Sequence, residues 1–270
     1  MTDIAIIAGR GCLPASLIAA LPQRPYVAGL EGFCPTGVVP DILFRVERLV
    51  PFLNHLIDIG ISRVCFAGAV QRPRLDPSLF DARTAQMVPR LLAAMQAGDD
   101  ATLREVLAIF EEFGLEIVAV PSIAAGLVPG AGVLCGTVTP PDEDDAERAQ
   151  AIVSALGAVD VGQGAVVQQG LCLAVETLPG TDAMLRAVAQ IAVTLRTDPA
   201  VGRGVIYKAP KPGQDRRIDL PTIGPETVAL AGAAGLGGIV WQAGGVIVLD
   251  LDATIAAADA QGIFLWARAG

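Results

Sequence analysis

Between residues 208 and 224 the chain concentrates groups able to do chemistry. Lys208, Lys211, Arg216 and Arg217 fall within ten positions, beside Asp215 and Asp219, and are four of only 19 basic residues. Pro210, Pro212 and Pro221 restrict the backbone that carries them. Cations this dense on a constrained loop can clamp a polyphosphate. A carboxylate among them can hold Mg²⁺ or orient an attacking water. The bland reading is a solvated charge cluster. Against it, Asp219 is flanked by Ile218 and Leu220, which prefer burial, and a buried carboxylate needs a cation or metal as partner.

Other groups lie elsewhere. Gly9-Arg10-Gly11 follows an apolar run and precedes a helix-like stretch, a turn whose backbone N–H groups can approach an anion at a helix N-terminus. Glu31 follows about twenty residues on, the separation at which dinucleotide folds place a ribose-binding acid. Position 14 is Pro, not the third glycine of that fingerprint, so a plain strand-to-helix turn stays open. Gly68-Ala69-Val70-Gln71-Arg72 and Pro121-Ser122 follow further apolar runs, where wound sheets collect ligands. Glu176 ends the apolar run Leu171–Val175, before Gly180-Thr181-Asp182. Thr181 and Asp182 are good helix caps, whereas capping would not require Glu176.

Composition removes several classes. The single histidine, His55, excludes histidine-built two-metal phosphoesterase and zinc sites, and its amphipathic surroundings mark it as structural or surface. A net charge of −9 argues against a protein that coats nucleic acid. Cys12, Cys34, Cys65, Cys135 and Cys172 are odd in number and widely spaced, and read as buried small hydrophobes in a reducing compartment. No signal-peptide pattern opens the chain, so a cytoplasmic location is expected. Thr227–Leu249 is uncharged and long enough to span a bilayer, yet its six glycines favour a helix, a turn and two short buried strands.

The elements that must hold these residues alternate. Strands are expected at Asp3–Ala8, Pro25–Leu30, Ile42–Val46, Arg63–Ala67 and Leu115–Val120, with helices at Leu13–Leu21, Pro51–Ile59, Thr84–Met95 and Thr102–Glu112. Asp99-Asp100 would cap the last of these. Glycine and proline then become frequent, placing a boundary between about 125 and 140. Beyond it come a helix at Ala146–Leu156, a hairpin around Gln168-Gln169-Gly170, a helix after Asp182 and a strand Gly204–Tyr207. The expected fold is α/β: a Rossmann-like wound domain over 1–130, then an α/β domain with a mixed sheet over 131–270.

Several segments together resemble one family. They are Ile-Ile-Ala-Gly9-Arg-Gly11 with Leu13-Pro14, Val159-Asp160-Val161-Gly162-Gln163, Ala174-Val175-Glu176 with Gly180-Thr181-Asp182, and Lys211-Pro-x-Gln214-Asp215-x-Arg217-x-Asp219-Leu-Pro221-Thr222-Ile-Gly224. Their order and spacing, over nearly the whole chain, resemble the LpxI-type UDP-2,3-diacylglucosamine diphosphatases, with Leu178-Pro179 a departure where a more acidic residue is expected. The resemblance implies a Mg²⁺-dependent hydrolase of lipid A biosynthesis in Gram-negative cells. Water would attack the sugar-side phosphorus of UDP-2,3-diacylglucosamine, giving UMP and 2,3-diacylglucosamine 1-phosphate (lipid X). It further implies two domains with the ligand between them, a homodimer and room for peripheral membrane contact. Carried onto this chain, Asp219 is the catalytic carboxylate and metal ligand, with Gln214, Asp215 and Lys208 as its catalytic neighbours. Substrate contacts are expected at Gly9, Gly11, Ala69, Val70, Ser122, Glu176, Thr181, Asp182, Lys211, Arg217 and Thr222. Two rival readings are an NAD(P)-dependent oxidoreductase using Gly9, Gly11 and Glu31, and a non-catalytic nucleotide- or lipid-binding protein.

Overall fold

A central strand buried on both faces organises the N-terminal part, and the run Ile-Ala-Ile-Ile-Ala supplies it. The computed structural model describes residues 2–70, 74–191, 198 and 200–269. The chain divides into two compact units, Met1–Ala125 and Gly126–Gly270. The first contains β1 (Ile4–Ala8), α1 (Leu13–Ala20), β2 (Tyr26–Leu30), β3 (Ile42–Phe44), α2 (Leu49–Asp58), β4 (Arg63–Ala67), α3 (Ala82–Ala85), α4 (Val88–Ala97), α5 (Asp99–Glu112), β5 (Glu116–Ile117) and α6 (Val120–Ile123). Its sheet is wholly parallel in the order β3-β2-β1-β4-β5. All five residues of β1 are buried, as a strand covered by helices on both faces must be. Phe44 stacks on Phe52 of α2 with ring centroids 4.0 Å apart, and Phe66 meets Phe110 of α5 edge-on at 5.1 Å.

The second unit contains β6 (Gly132–Cys135), α7 (Pro140–Ala158), β7 (Gly164–Gln168), β8 (Leu171–Val175), α8 (Gly180–Ala189), β9 (Val205–Lys208), β10 (Thr222–Ile223), α9 (Pro225–Ala233), β11 (Gly238–Gln242), β12 (Ile247–Val248), α10 (Leu251–Gln261) and β13 (Phe264–Arg268). Its six-stranded sheet is mixed, β6-β13-β11-β9-β7-β8. Strands β9, β11 and β13 run parallel, while β6, β7 and β8 each pair antiparallel. Strand alternation splits the core in two. Ile206, Ile239, Trp241 and Leu265 pack with α8, α9 and α10, whereas Val205, Tyr207, Val240 and Phe264 pack with α7. Strands β10 and β12 form a separate parallel pair.

Several expectations need correction. The helix anticipated over Thr84–Met95 is two helices, because Pro89 lies in the first turn of α4 and cannot continue α3. Helix α5 already contains Asp99 and is preceded by Gly98 at φ +126°, so Asp99 is not its cap. Leu115–Val120 is a two-residue strand followed by α6, with Pro121 at that helix's start. Strands β6 and β13 and helix α10 have no counterpart among the expected elements.

The cysteines also differ. Cys65 is buried, and burial pushes its thiol up to about 12, as a small hydrophobe should behave. Cys12, Cys34 and Cys172 are exposed, because they occupy a helix start, a loop and an edge strand. His55 is structural: its Nε2 lies 3.0 Å from the Tyr26 hydroxyl. Thr227–Leu249 folds as α9, β11 and β12, and no helix among the described residues is long and apolar enough to cross a membrane.

Candidate active site

The loop after β9 leaves the carboxyl end of a parallel strand, the edge where wound α/β sheets collect ligands. Its path is pinned by close contacts. A side chain at Gly157, near the end of α7, would meet Pro212 at 2.7 Å, and one at Gly245 would meet Pro210 at 2.9 Å. The prolines that fix the loop's dihedrals therefore also seat it against the rest of the unit.

Two connected groups arise here. In the first, the Gln214 carboxamide oxygen accepts the Lys211 backbone N–H at 2.9 Å, and its nitrogen donates to Asp219 Oδ2. Gln214 thus ties the half-buried Asp219 to the start of the loop. The Lys211 ammonium pairs with Asp160, at the turn after α7. Asp215 is committed to Arg217, whose guanidinium spans both carboxylate oxygens at 2.7–3.1 Å. Asp215 also accepts the Arg217 backbone N–H, and its carbonyl accepts the Asp219 N–H at 3.1 Å. The two aspartates therefore do different work: Asp215 shapes the turn and Asp219 faces its amide. Arg216 is exposed, and Thr222 opens β10 opposite Ile247.

The second group is buried. Lys208, only 4% exposed, donates to Thr181 Oγ1 and lies 3.4 Å from Glu176 Oε2. The Thr181 hydroxyl donates to the same carboxylate oxygen at 2.8 Å, and Glu176 is 7% exposed. Three elements meet: the end of β9, the residue after β8, and the first turn of α8. Neither Thr181 nor Asp182 caps α8, whose cap position is Pro179. Asp182 instead points along the helix surface, 3.7 Å from Arg186.

The N-terminal unit treats its corresponding edge differently. The Arg10 N–H donates to Ala69 O and the Ala69 N–H donates to Arg10 O, both at 2.9 Å, while the Gly9 N–H goes to Ala67 O. The turns after β1 and β4 are therefore laced together where the strand order reverses. Gly9 is required by that approach, since a Cβ would lie 2.7 Å from Ala69 O. The amides of Gly9 and Ala69, expected to contact ligand, are consumed. Gly11 sits at φ +94° with its carbonyl bonded to the Thr36 N–H, and Val70 is half exposed. Gln71 and Arg72 lie outside the described residues. Ser122 is on α6, its hydroxyl returned to Ala119 O at 2.6 Å.

One concavity of the N-terminal unit lies on this same edge, at the carboxyl ends of β2 and β3, whereas one of the C-terminal unit lies away from its loop. Glu31 pairs with Arg45 at 3.1 Å and lines a cavity of about 400 Å³ with Phe33, Glu47 and Arg74. A cavity of about 560 Å³ in the C-terminal unit touches Gly237, Ile263 and Phe264, at the amino ends of β11 and β13. That is the edge opposite the 208–224 loop, so this cavity does not contain the loop's reactive groups.

The pairing of Lys208 with Glu176 across strands has no local sequence signal. A global one existed: Lys208 and Lys211 are the only lysines in the chain, the other 17 basic residues being arginine.

Fold and site define a two-unit α/β protein that presents one amide-held carboxylate among cations at a strand-end loop, an arrangement suited to an anionic, phosphorylated ligand. The LpxI N-terminal domain family matches residues 3–127 and the LpxI C-terminal domain family residues 130–266. A relative from Caulobacter vibrioides, the UDP-2,3-diacylglucosamine pyrophosphatase LpxI, is 40% identical over 98% of this chain and 97% of its own. The chain belongs to the LpxI family.

Proposed function

We propose that this chain hydrolyses the pyrophosphate bond of UDP-2,3-diacylglucosamine, giving UMP and 2,3-diacylglucosamine 1-phosphate. One observation carries the reading: Asp219, on a cation-rich loop at a strand end, is held by Gln214, which is itself anchored on the Lys211 backbone. The activity named for the 40% identical relative supports it.

Among the described residues no three His, Cys, Asp or Glu side chains are gathered for a metal. Asp215 is taken by Arg217, leaving Asp219 as the available carboxylate of the loop. That donor set fits Mg²⁺ held by one carboxylate, substrate phosphates and waters, the usual way this ion is bound. Mg²⁺ bound there would neutralise diphosphate charge. Asp219 orients a water and accepts its proton at a carboxylate oxygen. Gln214 keeps that carboxylate in place. The new P–O bond forms at the sugar-side phosphorus, the bond from it to the bridging oxygen breaks, and UMP departs with the electron pair. Lys211, Arg217 and Lys208 supply positive charge to the phosphoryl oxygens as this happens. Lipid substrate would be met at a membrane surface; no described helix is long and apolar enough to cross a bilayer.

Asp219→Ala tests the reading by UMP release; turnover near the parent's overturns it. Hydrolysis in ¹⁸O-labelled water should place label in the sugar phosphate, and label in UMP would reverse the assigned phosphorus.

A further inference from the structure

Resting on that reading, we propose that Glu176, Thr181 and Gly164 are positioning residues for Lys208, and that Gly164 is there to leave the Glu176 carboxylate its place. The chain uses arginine for 17 of its 19 cations and lysine only at 208 and 211. At 208 the reason is geometric. A compact ammonium fits the space between the Thr181 hydroxyl and Glu176 Oε2, whereas a planar guanidinium with five donors would need a wider and flatter set of acceptors.

The hydrogen bonds run in one direction. Lys208 donates to Thr181, Thr181 donates to Glu176, and the Glu176 carboxylate closes the ring on the ammonium. One N–H of Lys208 is given to Thr181 and Glu176 lies at ion-pair distance, so the ammonium keeps donor capacity for an anionic oxygen of the substrate. Glu176 and Thr181 therefore act through Lys208 and do not touch the substrate themselves.

Gly164 completes the arrangement. It begins β7, directly opposite Lys208 in the antiparallel ladder, and its carbonyl accepts the Glu176 backbone N–H at 2.8 Å. A Cβ at 164 would lie 2.6 Å from Glu176 Oε2, while its next contacts, Glu176 Cβ and Met184 Cε, are at 3.4 and 3.5 Å. A methyl group there collides with the free end of a flexible side chain and with nothing rigid. The added methyl should displace the carboxylate and leave the strand in its ladder.

The full-length chain with Gly164→Ala tests this. The expected result is a kcat at least tenfold lower, KM for the lipid substrate within about twofold, and a melting temperature close to that of the parent. Thr181→Val should act likewise and Thr181→Ser should restore activity, a rescue that loss of packing alone does not predict. A readout independent of hydrolysis uses amine acetylation followed by peptide mass analysis. With only two lysines, Lys208 should react far more slowly than Lys211 in the parent protein, and faster in Gly164→Ala and Thr181→Val. Equal labelling of the two lysines in the parent, or unchanged kcat and labelling in Gly164→Ala, overturns the proposal. If the labelling order holds while no UDP-lipid is hydrolysed, the assigned reaction fails and the positioning of Lys208 stands.

Discussion

The carboxyl ends of parallel strands in the two sheets, one wholly parallel and one mixed, make an instructive pair. In the N-terminal unit the turns after β1 and β4 bond to each other, so the amides of Gly9, Arg10 and Ala69 are spent on backbone carbonyls. In the C-terminal unit the chain leaving β9 is seated by Pro210 and Pro212 against Gly245 and Gly157, and its side chains face one another. The same topological position thus serves as a structural seam in one unit and carries a carboxylate, an amide and two lysines in the other. Strand order nominates a place for ligands; the fate of its hydrogen-bonding groups decides whether the place is open.

The comparison can be broken most forcefully at Asp219. Asp219→Ala should lower UMP release by about 10²–10⁴-fold, the range expected for loss of a group that handles a proton in the reaction, with folding retained. An equally large kinetic loss from Gly9→Ala, at unchanged stability, would show that the N-terminal edge is also a working site.

Next is the buried pair. Glu176→Ala leaves the Lys208 ammonium without its carboxylate and should cost about 3–5 kcal/mol of unfolding free energy, measured by denaturant titration. A loss under 1 kcal/mol would mean the pair is solvated after all. At the seam, Gly9→Ala drives a methyl group against backbone that cannot swing aside. We expect about 1–3 kcal/mol of destabilisation with KM unchanged. A companion check is thermal melting with NAD(P)H, which should leave the midpoint where it was, because the Gly9, Arg10 and Ala69 amides of that turn are already bonded.

The smallest effect concerns pH. The Arg63 guanidinium, bonded to both oxygens of Asp3, holds that exposed carboxyl down to about 2. Its folded value lies below its unfolded one, so its stabilising contribution is present above about pH 4 and is lost as pH falls through about 2. Asp3→Asn should flatten the acid limb of the melting curve slightly over that window; an unchanged acid limb would show the pair contributes nothing.

Legibility was uneven for physical reasons. The wound order of the first unit could be read because short apolar runs and glycine turns are local signals, and β1, β2 and β4 lie close to where those signals place them. The helix starts at Pro89 and Pro121 were legible in principle, since the prolines stand in plain view, but an apolar run masked them. The cysteines misled because neighbours in sequence do not tell which face of an edge strand or which side of a turn a thiol occupies. In the 208–224 segment, the division of labour between Asp215 and Asp219 was hidden, as two aspartates four residues apart look alike until Arg217 folds back on one of them.

The sequence by itself determined the chemistry available to this protein: one histidine, two lysines, a proline-constrained segment rich in cations and carboxylates, and two α/β units to carry them. These follow from composition and short-range pattern, which need no knowledge of contacts. Only the tertiary structure decided which groups are free and which are spent. Residues 164, 176, 181 and 208 span 45 positions of chain and become neighbours only through the antiparallel register of β7 with β8 and β9. Register is set by the packing of whole faces, and no segment read alone contains it.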